Sequence, residues 1–268
     1  MTRAAAPAAG SLRGYFALEA RRAPLRASLV AAIAGVLVVL GSHALIVRLP
    51  AQVIRFLEQA FDIEGMAAVL LINDLLATYF VAYFVALAGL VDATVTAREE
   101  HRLELLLAKP IRPRVLLAAR AAPSLLAGAG AGVVVAACTA VAVAPYIAAR
   151  DMISVAGALG GGLFLVALAI ALLSALLPLL ARMRDGFHAL LVASGAWIAP
   201  LMPTAAFIYR PDAFEAHEGL REASVLASLL WSDATSAWLG PAALAIAAPL
   251  AAIAVAAAGV LLERTDAL

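Results

Sequence analysis

The residues best suited to chemistry in this chain fall into few groups. The stretch "REEHRLELLLAKPIRP", Arg98 to Pro113, gathers seven charges and a histidine around a leucine triplet and holds Lys109, the single lysine of the protein. Asn73 and Asp74 form a polar pair inside an otherwise apolar run, and Asp233 lies in "WSDATSAW". Asp185 and His188 are the nearest approach to an acid–base pair. A hydrolytic enzyme needs a clustered nucleophile, base and orienting group, and this thin pairing does not supply them. The four histidines and the single Cys138 show no metal-ligand spacing. A lone cysteine permits no disulfide within the chain, and in an apolar run it serves as a small hydrophobe. No catalytic, cofactor or metal residue is therefore assigned.

The elements that must position these residues are membrane helices. The chain has 268 residues, mean hydropathy +1.00 and 14% charged residues, against about 25% charged in ordinary soluble domains. Net charge is +1, which gives no field for nucleic acid. Crossing the hydrocarbon core takes about 20 apolar residues. By that measure the fold class is all-α, a single polytopic domain over 1–268 with six spans. They fall near 27–47, 66–91, 121–144, 153–181, 187–208 and 240–262. The first apolar region is too long for a cleavable signal and lacks a small-residue cleavage pattern.

Basic residues orient the bundle. With the N-terminus inside, the inner segments hold 14 Lys/Arg and the outer ones 5. Both termini are thus expected in the cytoplasm of a bacterial inner membrane, and the 92–120 loop with them. The N-terminal "SLRGYFALEARRAPLR" reads as an interfacial helix. "PAQVIRFLEQAFDIEG" reads as a short amphipathic helix on the outer face, with Val53, Ile54, Leu57, Ala60 and Phe61 on its apolar side. The 209–239 segment is the longest outer one. Its second half is apolar but too short to cross, so it is expected to be re-entrant or interfacial, with Trp231 and Trp238 at headgroup level.

Two placements of Asp74 stay open. If lipid begins at Met66, Asp74 lies about 12 Å deep and is a functional candidate. If lipid begins near Leu75, Asp74 sits at the outer rim. In either case Asn73 and Asp74, with Asp233, are candidates for a pathway or outer gate. Gly128 and Gly132, and Gly157 and Gly161, repeat a small-xxx-small spacing that suits close helix packing. Pro178, Pro200, Pro203 and Pro249 fall in or near spans, where they kink or end helices.

From Asp92 to about Ala108 no residue breaks helix, and Pro110 stops it. Val95, Leu103, Leu106 and Leu107 form an apolar stripe. Arg98, Glu99, Glu100, His101, Arg102 and Glu104 spread over the remaining faces, as on a helix that docks its polar side on another protein.

This stretch resembles the loop after the second span of type-two ABC transporter permeases, a six-span, exporter-type membrane family. The family pattern is E-x-x-x-G-T-L-E-x-L-L-x-x-P-x-x-R, followed by a lysine before span three. Glu99 or Glu100 precedes it, Leu103, Glu104, Leu106, Leu107 and Pro110 match it, and a basic residue lies near its arginine at Arg112 or Arg114. His101 and Arg102 stand where the family has Gly-Thr, and Arg120 where it has the lysine. The motif covers about 25 residues, while the span plan covers the whole chain. The resemblance implies an ATPase-coupling role for Arg98, Glu99, Glu100, His101, Arg102 and Glu104. It also implies a separate ABC ATPase subunit that holds the ATP, and a second permease copy or sister permease. The chain has no G-x-x-x-x-G-K-[ST] phosphate loop, so it is no ATPase, and its cofactors are none of its own. The implied function is export of a hydrophobic or amphipathic substrate. A version that moves a partner outside the membrane is the first alternative. A secondary transporter is the second; it needs ionisable groups in the spans, where the sequence reading finds Asp74 alone.

Overall fold

A computed structural model describes residues 16, 24–61, 65–101, 113–147, 154–183, 185–202 and 237–265. The elements among the described residues are all helical, without a strand. They form α1 (Pro24–Ile46), α2 (Ala51–Phe61), α3 (Met66–Val91), α4 (Pro113–Val143), α5 (Val155–Leu180), α6 (Gly186–Ile198) and α7 (Leu239–Thr265). Five helices are long and apolar enough to cross a membrane: α1, α3, α4, α5 and α7. The protein is thus a multi-pass membrane protein by helix length and composition. The N-terminal interfacial helix, Arg102, Glu104, Lys109, Pro203, Trp231, Asp233 and nearly all of 209–239 lie outside the described residues.

Local chemistry sets the helix ends. Pro24 and Pro113 open α1 and α4, where proline's missing N–H costs nothing. The Ser154 side chain accepts from the Gly157 N–H at 2.9 Å and caps α5. Asp185 caps α6 by accepting from Phe187 N–H and His188 N–H. Gly65, at φ 90°, turns the chain into α3, a conformation that favours glycine. Pro178 and Pro249 sit within unbroken α5 and α7.

α3 is the axis of the bundle. Its fully buried residues include Leu70, Leu75, Tyr79, Tyr83, Leu87 and Leu90, and α4, α5 and α1 pack around it. α4 approaches it closely. A Cβ added at Gly128 would stand 2.5 Å from the Ala82 carbonyl oxygen, and one at Gly132 2.7 Å from the Ala82 Cβ. The small-xxx-small spacing in α4 therefore serves packing within the chain. α1 is the least embedded span, with 22% of its apolar window buried against 56% for α3. Its outward residues Leu25, Leu29, Val30, Leu37 and Leu45 are exposed.

Helix directions alternate. α3 runs toward the end bearing Arg98, α4 runs back, and α5 returns to deliver Asp185 beside Glu99, whose Oε1 accepts from the Gly186 N–H at 2.6 Å. α6 begins at this charged end. α7 begins at the opposite end, where Gly240 abuts Gly160 near the start of α5, and finishes with Gly259 against Arg114.

The stretch expected to span at 187–208 behaves differently from the other five. α6 has 13 residues and gives way to a 3-10 turn at Ala199–Leu201 that contains Pro200. Met202 follows that turn in helical conformation, and 203–208 lie outside the described residues. α6 is fixed to α3 through aromatic residues. The Tyr83 hydroxyl donates to the Ala193 carbonyl at 2.6 Å and the Tyr79 hydroxyl to the Trp197 carbonyl at 3.2 Å. The Trp197 and Tyr79 rings stack at 5.7 Å.

Candidate functional site

The structure separates the sequence candidates into two places at opposite ends of α3. At the charged end, α3 does not stop at Val91. A π-helical turn, Asp92–Thr96, and a final helical turn, Ala97–Glu99, extend it into one rod of 34 residues, Met66–Glu99. Thr94 donates to the Leu90 carbonyl at 2.7 Å within this stretch. The buried Arg120 of α4 reaches the Asp92 carbonyl at 3.5 Å. The π-turn displaces backbone carbonyls from their regular partners, and Arg120 lies where a guanidinium can serve one of them.

The helix expected to continue to Ala108 ends earlier. His101 adopts φ 56°, the left-handed region, and is the one non-glycine residue there among the described residues. That conformation costs an L-residue about 1–2 kcal/mol and ends the helix. Propensity gave no warning, because histidine is an unremarkable helix residue. The signal lay in the motif instead, since His101 occupies the position where the resembled loop has glycine.

Arg98 and Glu99 are committed inside the chain. Arg98 Nη1 donates to the Met183 carbonyl at 3.2 Å, and Glu99 accepts from Gly186 N–H as above. Together they clamp the rod to the α5–α6 turn, where a carboxylate also complements the positive N-terminal end of α6. His188 Nδ1 meets Asp185 Oδ2 at 2.6 Å on the same exposed turn. The hydrogen bond from His188 holds the Asp185 carboxyl below the usual carboxylate range. Glu100 and His101 are exposed at the tip.

The other place is buried. His43 of α1 and Asp74 of α3 meet at 2.7 Å, Nε2 to Oδ2, with side chains 7% and 0% exposed. Asn73 Nδ2 donates to Asp74 Oδ1 at 3.2 Å and to Ser42 Oγ at 2.8 Å. Ser42 in turn donates to the Val39 carbonyl, and Thr78 to the Asp74 carbonyl. The Tyr146 ring meets the His43 ring edge-on at 5.8 Å. Asp74 is thus buried among the helices, with a hydrogen-bonding partner at each carboxylate oxygen.

Sequence reading missed His43, which it counted among scattered histidines. The residue lies three positions before the end of a 23-residue helix, a place that could have flagged it as an ionisable group in a span. Thr139 adds a buried hydroxyl. It lies seven residues beyond Gly132 on α4, and Leu75 lies seven before Ala82 on the antiparallel α3. Thr139 is therefore level with Leu75, next to Asp74. No group of three or more His, Cys, Asp or Glu able to hold a metal occurs among the described residues.

No protein-family model, curated protein or solved structure matches the chain.

Proposed function

We propose that the protein is the permease subunit of an ABC transporter of the six-span, exporter-type family. In this reading both termini face the cytoplasm, the region 186–239 supplies the sixth crossing, and two permeases assemble around a pathway for a hydrophobic or amphipathic substrate. The ATP is hydrolysed by a separate subunit. The observation that carries the reading is the left-handed turn at His101 on the tip of the α3 rod. It falls where the coupling-loop motif has glycine, two residues before Leu103 and Glu104 of that motif. The rod supports it too. Its 34 residues extend about 50 Å against about 30 Å of hydrocarbon, so its charged end reaches water. A push on that tip would travel along one helix to Asp74.

The experiment is co-purification of the tagged, membrane-embedded protein with Walker-motif ATPases expressed alongside it. The expected result is a stable complex that Glu100→Lys with Glu104→Lys disrupts while the helical content stays unchanged. Glu99 is left intact in this test because it caps α6. Failure to bind any such ATPase, or association that ignores both substitutions, overturns the coupling assignment.

A further inference from the structure

We propose that Arg120 of α4 is a positioning residue: it holds the π-turn in the α3 rod, and the extra residue of that turn sets the azimuth at which the rod presents its tip. The geometry of the turn carries this assignment independently of the ATPase reading.

The π-turn, Asp92–Thr96, lies between two fixed points. Before it, α3 and α4 touch. A Cβ added at Gly89 would stand 2.6 Å from the Ser124 Oγ and 2.7 Å from its Cβ. Beyond it, Arg98 Nη1 donates to the Met183 carbonyl and Glu99 Oε1 accepts from the Gly186 N–H. These contacts fix the side of the rod that faces α4 at Gly89 and the side that faces the α5–α6 turn at Glu99. A π-turn closes its hydrogen bond over one residue more than an α-turn. Were the same residues a regular α-helix, everything past Thr96 would be rotated by about 100° around the axis. Glu99 would then point away from Gly186 while Gly89 stayed on Ser124. The π-turn is what lets one rod satisfy both ends.

Regular α-geometry is the default for such a segment, because π-helix is rare, so the turn needs a holder. The Thr94 hydroxyl donates to the Leu90 carbonyl at 2.7 Å. Threonine makes that bond in ordinary helices, so it does not select π-geometry. Arg120 comes from outside the rod. It is 7% exposed, and its Nη2 reaches the Asp92 carbonyl, the first of the turn, at 3.5 Å. α4 is held at this level by the Gly89–Ser124 contact one helical turn away, where Ser124 Oγ donates to the Arg120 carbonyl at 3.2 Å. An arginine near the end of a membrane helix ordinarily stretches its charged head to water. Here the guanidinium is turned inward, onto the backbone of the rod.

The test is amide hydrogen exchange at Gly186 in the full-length protein in lipid nanodiscs, because Glu99 protects that buried amide. Arg120→Met is expected to let the turn revert to α-helix and to speed Gly186 exchange about fivefold. Arg120→Lys keeps a cationic donor and is expected to stay near the unsubstituted rate. Deleting Thr96 from the Arg120→Met protein removes the extra residue and returns Glu99 to its azimuth, so slow exchange is expected to be restored. A side chain that merely stabilised the bundle would not be rescued by a further deletion. Unchanged exchange in Arg120→Met, or fast exchange that the deletion does not reverse, overturns the proposal. Should Arg120→Met fail to fold, Arg120→Lys and the Thr96 deletion, each alone, decide. Both are expected to keep Gly186 slow, and fast exchange in either overturns the proposal.

Discussion

The two ends of α3 spend polar residues in opposite ways. At the charged end, Arg98, Glu99, Asp185 and His188 work at a surface, joining loops by single hydrogen bonds of 2.6–3.2 Å. At the other end, His43, Asp74, Asn73 and Ser42 are enclosed, and each depends on the others. Water can replace a partner at the first end, but nothing replaces one at the second. Losses should therefore be small and local at the charged end, and large and global at the buried one.

The sharpest break of this contrast is Asp74→Leu. It leaves His43 enclosed without its carboxylate, and the expected loss is about 3–5 kcal/mol in equilibrium unfolding in detergent. His43→Leu with Asp74→Leu should lose less than the two single changes summed, as coupled residues do. Next comes Gly132→Leu. A Cβ there stands 2.7 Å from both Ala82 and Val166 side chains, and overpacking should cost about 1–3 kcal/mol and lower the melting temperature.

The charged end should respond more gently, and in one case favourably. His101→Gly removes the left-handed penalty and is expected to stabilise the α3 tip by about 1 kcal/mol, seen as slower amide exchange over Ala97–His101. Glu99→Gln keeps a weaker acceptor for Gly186 N–H. On an exposed turn it should cost only about 0.5 kcal/mol, read as faster exchange of the Gly186 amide. The smallest effect belongs to Asp185. Its folded carboxyl lies below the ordinary value of 3.8 because His188 hydrogen-bonds the ionised form. The cap is therefore fully present above pH ~4 and is lost as pH falls through the lowered folded value. Protection of the Phe187 amide should decline only in that acid range, which a pH series of exchange rates would show.

Much of the bundle was legible in the sequence because long apolar runs bounded by Gly and Pro leave little choice. Gly65 and Met66 open α3 where the apolar run begins, and Pro113 opens α4. The Gly128–Gly132 spacing correctly indicated a close approach. What was not legible depends on register between helices. His43 and Asp74 are 31 residues apart, and only the packing of α1 on α3 brings them together. The end of α6 was partly legible: hydropathy carried the run on to 208, but Pro200, read as able to kink or end a helix, stands in the 3-10 turn that follows Ile198. The early end of the α3 rod escaped because a left-handed histidine has no signature in composition.

The separation of His43 and Asp74 in sequence also bears on how the protein is made. During synthesis His43 leaves the ribosome 31 residues ahead of its partner. At about 5–20 residues per second, roughly 2–6 s pass before Asp74 follows. Through that interval the first helix must be accommodated with an unmatched imidazole near its end. The arrival of the next helix supplies the partner that lets it settle. The pair is in that sense an assembly checkpoint, made of two residues that the growing chain delivers in sequence.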